Sequence, residues 1–343
     1  MHAWRSRKLA LWLASALAGT ALALAAWSAW QAWRAAQQPP ARPLIVAVAT
    51  QLGSGALYVA QEQKLFERYG LRIKLRPFVL GREALQSVLN GNSDLAVLAD
   101  TPLALALLRG EALTVLATLY ESTTAMAVVA RTDRGIQHGQ DLAGKRIGTA
   151  HGTNGQYFLE RYLDELGLGL SAVRVVDLAP EQFLTALETG AVDAVTLWYP
   201  DRARLAQRLP HATFTLQPRQ PFVYRFVLAG RPATVRAEEA SLRLLLQALR
   251  DANEAIRAEP DQAQAQIAQS NGLDPAALGP AFQPGDYVLS MQPSLLTALQ
   301  DQADWARARG LVPERPRPDF RASLDPRLLA SVAPAAASLP PPH

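Results

Sequence analysis

Five short clusters in this sequence carry residue types suited to gripping a polar ligand. They are Ser54-Gly55, Gly81-Arg82, Asp100-Thr101, Gly152-Thr153-Asn154 and Trp198-Tyr199. Each of the first four falls between a predicted strand and a predicted helix. The opening turn of a helix leaves backbone N–H groups unpaired, and those groups with the helix dipole favour an anion or a polar ligand group. Taken singly, each cluster also serves as a plain helix cap, and a solvated Arg82 needs no ligand. Four together, at the carboxyl ends of strands in two α/β halves, mark a shared cleft. Asp100 can take up a ligand amine or cap its helix through Thr101-Pro102. Trp198-Tyr199 ends a strand with two large rings, one expected in the core and the other at the cleft, in an order the sequence leaves open.

Other chemistries lack their residues. The chain has no cysteine, which excludes disulfides, thiolate metal sites, Cys nucleophiles and a lipid-modified N-terminal Cys. His2, His138, His151, His211 and His343 share no metal-ligand spacing. His151 adjoins Gly152, as a ligand contact or as a surface-loop residue. Gly53-Ser54-Gly55 fails the dinucleotide fingerprint because Tyr58 stands where its third glycine belongs, and Leu52 fails the nucleophile elbow. No Walker loop and no singled-out carboxylate pair appear. The expectation is a binder without catalytic residues, metal or cofactor.

The elements that must position these clusters are written in a repeated unit. Residues 81–102 read as helix, Gly turn, buried strand and helix start, and 180–201 read the same way 99 residues later. Gly91 and Gly190 each stand three residues before an aspartate, Asp94 and Asp193, that leads into an apolar strand. Leu44–Ala49 is a continuous apolar run, the mark of a strand buried on both faces. A helix Ala56–Tyr69 stopped by Gly70, an alternating strand Leu71–Leu75 and a strand Leu113–Tyr120 follow. The second series has a strand Arg146–Thr149, a helix from Gly152 to Gly167 and a strand Val173–Asp177. The strands Ala125–Arg131 and Phe222–Ala229 are read as the two crossings between lobes. From Thr234 the pattern is helical, with Leu242, Leu245, Leu246, Leu249, Ala252 and Ile256 on one stripe. Alternating strands and helices imply an α/β fold with mainly parallel sheets.

Residues 1–34 are a targeting or anchoring element. Arg5, Arg7 and Lys8 precede Leu9–Trp30, 22 residues without a charge. Ala23-Leu24-Ala25 fits a cleavage site, whereas an uncleaved Leu9–Trp30 is long enough to cross a bilayer. Either outcome places residue 43 onward outside the cytoplasmic membrane. With Arg34, this segment accounts for the whole net charge of +4, so the basic balance does not point to nucleic acid.

Longer stretches carry a family resemblance. Residues 55–71 (GALYVAQEQKLFERYGL), 81–97 (GREALQSVLNGNSDLAV), 141–154 (DLAGKRIGTAHGTN), 189–200 (TGAVDAVTLWYP) and the ending RGLVP…DPRLL (309–329) bear it. They resemble the periplasmic substrate-binding proteins of bacterial ABC transporters for sulfonates, taurine and nitrate, a superfamily that includes thiamine-precursor binders. The resemblance spans residues 43–329. It implies the two-lobe periplasmic binding protein (type II) fold with two crossing strands. Lobe 1 would take 43–130 and 223–330, and lobe 2 would take 131–222, after a linker at 35–42. An unfolded Ala/Pro tail is expected over 331–343.

The resemblance also implies a ligand set of Gln51, Ser54, Gly55, Gly81, Arg82, Asp100, Thr101, Gly152, Thr153 and Asn154, with Trp198 and Tyr199 facing it. Two departures stand out: Tyr199 replaces an acidic residue common between the Trp and the Pro, and Thr153-Asn154-Gly155 replaces a loop with a frequent His or Asp. The implied function is an exported, monomeric binder that passes a small anion to an ABC permease in the inner membrane. Alternatives are a membrane-anchored sensor and an enzyme on the same scaffold. The relatives that make a pyrimidine thiamine precursor depend on a Cys-rich motif that this chain lacks.

Overall fold

The apolar runs become the centres of two sheets. A computed structural model describes Trp27 and residues 42–339 apart from 200, 210, 211 and 280. The chain divides at Pro43, and the unit from Leu44 onward holds both sheets. The first has six strands: β1 (Leu44–Ala49), β2 (Ile73–Phe78), β3 (Leu95–Ala99), β4 (Thr114–Ser122), β10 (Tyr224–Gly230) and β11 (Tyr287–Ser290). The second has five: β5 (Met126–Arg131), β6 (Arg146–Thr149), β7 (Arg174–Asp177), β8 (Ala194–Trp198) and β9 (Thr213–Leu216). Each sheet with its flanking helices is called a lobe below.

The strand orders are β2-β1-β3-β10-β4-β11 and β7-β6-β8-β5-β9. Each sheet is parallel on one side, over β2-β1-β3 and β7-β6-β8, as the alternating pattern requires. The other side is antiparallel, so pairing is mixed rather than mainly parallel. The inserted strands are β5 and β10, the two read as crossings. β5 receives the chain as it enters the second sheet and β10 as it returns to the first, and each lies antiparallel beside the last strand of the parallel set. Burial follows position: β3 and β8 are buried along their whole length, whereas the edge strands β2 and β7 are half wet. Pro77 sits in β2, where the missing N–H costs no inner ladder bond.

The repeated unit shows how each parallel set is pinned. The Asp94 carboxylate accepts the Ile45 N–H of β1 at 2.8 Å, and the Asp193 carboxylate accepts the Arg146 N–H of β6 at 2.9 Å. The N–H of each aspartate returns to the carbonyl of the same partner residue, also at 2.8 Å. Gly91 and Gly190, at φ 76° and 72°, make the turns before them, in the left-handed region that glycine enters without a Cβ penalty.

Two further expectations change. The helix drawn over 56–69 is two, Gly55–Glu62 and Leu65–Arg68, separated where Lys64 takes a left-handed φ of 55°. That turn redirects Leu65 and Phe66 into the core. Residues 331–339, expected as an unfolded tail, pack instead: the Ser338 N–H donates to the Met291 carbonyl at 3.2 Å, and Leu339 is buried. Short apolar residues suffice there because a preformed surface receives them. The apolar segment 9–30 lies outside the described residues except for Trp27. Among the described residues no helix is long and apolar enough to cross a membrane.

Candidate functional site

The two sheets aim the carboxyl ends of β1, β3, β6 and β8 at one cavity, which draws its walls from both lobes. Gln51, Gly81 and Arg82 come from the first lobe; Gly152, Thr153, Asn154 and Trp198 come from the second. Ala49, Leu80, Ala99, Pro102 and Phe226 add an apolar wall, and Tyr224 adds a hydroxyl. The enclosed volume is about 20 Å³, room for about one water. A second cavity of about 490 Å³ shares Gln51, Leu80, Arg82 and Trp198 with it, and is bordered by Val79 and Glu181. The site is therefore a small inner chamber below a larger mouth.

Polar groups in the chamber are mostly donors. The Trp198 indole is 2% exposed, and its Nε1–H has no hydrogen-bond partner. Asn154 Nδ2 is likewise buried and unpartnered. Leaving such donors dry costs about 1–3 kcal/mol each, so an acceptor brought between them is stabilised strongly. The Gln51 side-chain carbonyl is already occupied, accepting from the Tyr224 hydroxyl. Burial pushes the Tyr224 hydroxyl well above the usual tyrosine range, so Tyr224 stays a neutral donor. Arg82 is exposed at the start of the helix Gly81–Leu89, and no hydrogen bond or ion pair ties it down among the described residues. Of the carboxylates at the mouth, Asp201 pairs with Arg204 at 2.7 Å and Glu83 accepts the Leu80 N–H at 3.3 Å, whereas Glu181 is exposed.

Seven of the twelve residues singled out from sequence line the chamber: Gln51, Gly81, Arg82, Gly152, Thr153, Asn154 and Trp198. The remaining five do not, each for a physical reason. Ser54 turns inward and donates to the Ala49 carbonyl at 2.7 Å. A Cβ on Gly55 would meet the Tyr287 ring at 2.6 Å, so this glycine serves close packing. Asp100 and Thr101 are buried behind Ala99 and Pro102, with Asp100 Oδ2 and Thr101 Oγ1 unpartnered. Burial pushes the Asp100 carboxyl up to about 6, against the pull of Arg225, Gln302 and nearby backbone N–H groups. Tyr199 lies off the chamber, with the Arg202 guanidinium 4.9 Å over its ring. Trp198 is therefore the ring that faces the chamber.

Sequence reading missed Tyr224 and Phe226 as walls, although it placed their strand. Phe226 is fixed by Gly53: a Cβ there would stand 2.3 Å from the ring. Thr153 caps the helix Asn154–Glu165 by accepting the Gly155 N–H at 3.2 Å, which holds Asn154 at the chamber wall. No cluster of His, Asp or Glu suited to a metal occurs among the described residues.

The chain is similar in sequence and fold to known proteins. The family described as NMT1/THI5 like matches residues 52–263. The taurine-binding periplasmic protein of Escherichia coli is 26% identical over 161 residues, 47% of this chain and 50% of that protein. Among solved structures, the alkanesulfonate-binding protein SsuA from Xanthomonas axonopodis pv. citri, bound to MOPS, superimposes with a TM-score of 0.71. It is 21% identical, and the match covers 84% of this chain and 99% of that one. The desulfurization enzyme DSZB shares the fold at a TM-score of 0.63 and 18% identity, over 85% of this chain and 99% of its own.

Proposed function

Because the chain belongs to the NMT1/THI5-like family, we propose that it is an exported solute-binding protein that captures a small organic anion of the sulfonate or taurine type between its lobes. The observation that carries this reading is the pair of buried, unpartnered donors, Trp198 Nε1 and Asn154 Nδ2, in a chamber that Arg82 also borders. An oxyanion supplies the acceptors these groups lack. The apolar wall of Ala49, Leu80, Ala99, Pro102 and Phe226 suits the carbon chain behind it.

A chamber of about 20 Å³ is too small for an organic anion, so entry requires the lobes to part or the Trp198 and Arg82 side chains to move. Binding then favours whichever closed form grips the anion better than the open one. Delivery to an inner-membrane ABC permease follows as the role of that closed form, from the periplasmic side. Residues 9–30 would either direct export or remain as a tether; a tethered sensor uses the same chamber and differs only in its partner.

The test is thermal unfolding of the full chain with taurine, alkanesulfonates, MOPS and nitrate. A ligand at about 100 times its dissociation constant should add about 2.7 kcal/mol of stability. No stabilisation by any of these anions would overturn the reading. An enzyme is distinguished by recovering an altered ligand from the protein in place of the intact one.

A further inference from the structure

The helix Asn154–Glu165 runs out of the chamber's Gly152 loop, and one of its faces meets the first lobe. Tyr157 and Glu160 are three residues apart on it, so they share that face. Opposite them, Trp305 lies near the end of the helix Pro293–Ala308 and Arg309 caps it, four residues apart. The Tyr157 and Trp305 rings are 5.1 Å apart between centroids. Arg309 Nε donates to Glu160 at 2.5 Å, making an ion pair that crosses from lobe to lobe.

Glu160 is unusual for a helix-surface acid. Its side chain is 3% exposed, whereas Arg309 is 41% exposed. A buried carboxylate is tolerated when its oxygens are paired. Here the second oxygen accepts from Gln156 Nε2 at 3.0 Å, and Gln156 Oε1 accepts the Gly152 N–H at 2.9 Å. A continuous run of hydrogen bonds therefore leads from Arg309 of the first lobe, through Glu160 and Gln156, to the backbone of a chamber residue in the second. Residues 156 and 160 are one turn apart, so the helix supplies the alignment. Arg161, Asp164, Asp301 and Asp304 rim the cavity of about 580 Å³ around the pair.

We propose that Glu160 and Arg309 form a closure latch, and that Gln156 is a positioning residue that ties the latch to the Gly152 loop. The latch forms in the conformation in which the chamber is nearly shut. Parting the lobes strips Glu160 of its cation and frees Gln156 to release the Gly152 N–H. Closure and the shape of the chamber loop are thus set by the same contacts. This inference rests on the anion-binding reading for its purpose, and its test separates the two.

The chain lacks cysteine, so spin labels on Val79→Cys and Glu181→Cys in the full chain report the width of the mouth that both residues border. In the absence of ligand, Arg309→Met and Glu160→Gln should each lengthen the interlobe distance relative to the labelled parent. They should also raise the off-rate of MOPS about fivefold, the scale of a partly exposed ion pair. The reversed pair, Glu160→Arg with Arg309→Glu, restores the ion pair without the Gln156 contact and should recover the distance, which separates a latch from general loss of packing. Unchanged ligand-free distances in both single variants, or failure of the reversed pair to recover them, overturns the latch. A parent insensitive to taurine, alkanesulfonates, MOPS and nitrate alike, combined with single variants that still open, supports the latch and removes the anion-binding reading.

Discussion

The units 81–102 and 180–201 share their turns and differ at their ends. Gly91 and Gly190 turn the chain alike, and Asp94 and Asp193 pin the following strand to the middle strand of each parallel set in the same way. Past the strand the copies diverge. In the first, the helix Asp100–Leu108 starts at once, and Asp100 and Thr101 are buried behind the chamber wall. In the second, Trp198 ends β8 with its indole in the chamber wall. The repeated Gly and Asp are architecture, and on the proposed reading recognition falls to an unrepeated residue, Trp198 at the end of β8.

The largest effect expected from breaking this comparison is on Trp198. Trp198→Phe keeps a ring and removes the indole N–H. A hydrogen bond to a charged group is worth about 1.5–3 kcal/mol, so calorimetry with an alkanesulfonate should show affinity falling about tenfold or more. Thr101→Val, at the other copy's ending, should change affinity far less; equal losses would erase the distinction between the endings.

Next come the pinning carboxylates, where stability should suffer and binding should not. Asp193→Asn should cost about 1–3 kcal/mol in urea unfolding with alkanesulfonate affinity kept. The pH dependence sharpens the contrast. Arg146 beside Asp193 holds its carboxyl below the usual aspartate range. Its contribution is present above the unfolded pKa of about 4 and lost as pH falls through the lower folded value. Asp100 runs the other way, because burial raises it to about 6. Its contribution is present below about pH 4 and lost as pH rises through the folded value. Unfolding curves across pH should lose part of their acid limb in Asp193→Asn and part of the decline from about pH 4 to 6 in Asp100→Asn.

The smallest effect is expected at Tyr199. Trp198 lines the chamber and Tyr199 does not, so on the proposed reading Tyr199→Glu should leave the preference between taurine and simple alkanesulfonates nearly unchanged. A marked gain for the amine-bearing ligand would put Tyr199 back at the chamber.

Much of the fold was legible because burial on both faces leaves a continuous apolar run, as in β1, β3 and β8. The stripe from Leu242 to Ile256 was equally plain, and all six of its residues are fully buried. The antiparallel insertion of β5 and β10 was not legible, since it depends on which distant strand each meets. Neither was the break at Lys64, which follows from where Leu65 and Phe66 find the core. At the site, glycine and capping residues marked chamber loops on both lobes. They did not separate Gly152, at the chamber, from Gly55, against Tyr287. Successive residues at a strand end face opposite ways, so one of Trp198 and Tyr199 had to point inward. The choice needed the second sheet's partners.

The most direct measurement is a crystal structure of the chain with a bound alkanesulfonate. The account predicts sulfonate oxygens about 3 Å from both Trp198 Nε1 and Asn154 Nδ2, with the carbon chain against Leu80 and Phe226. A sulfonate bound elsewhere, or bound between the lobes with both of those donors still unpaired, would contradict it.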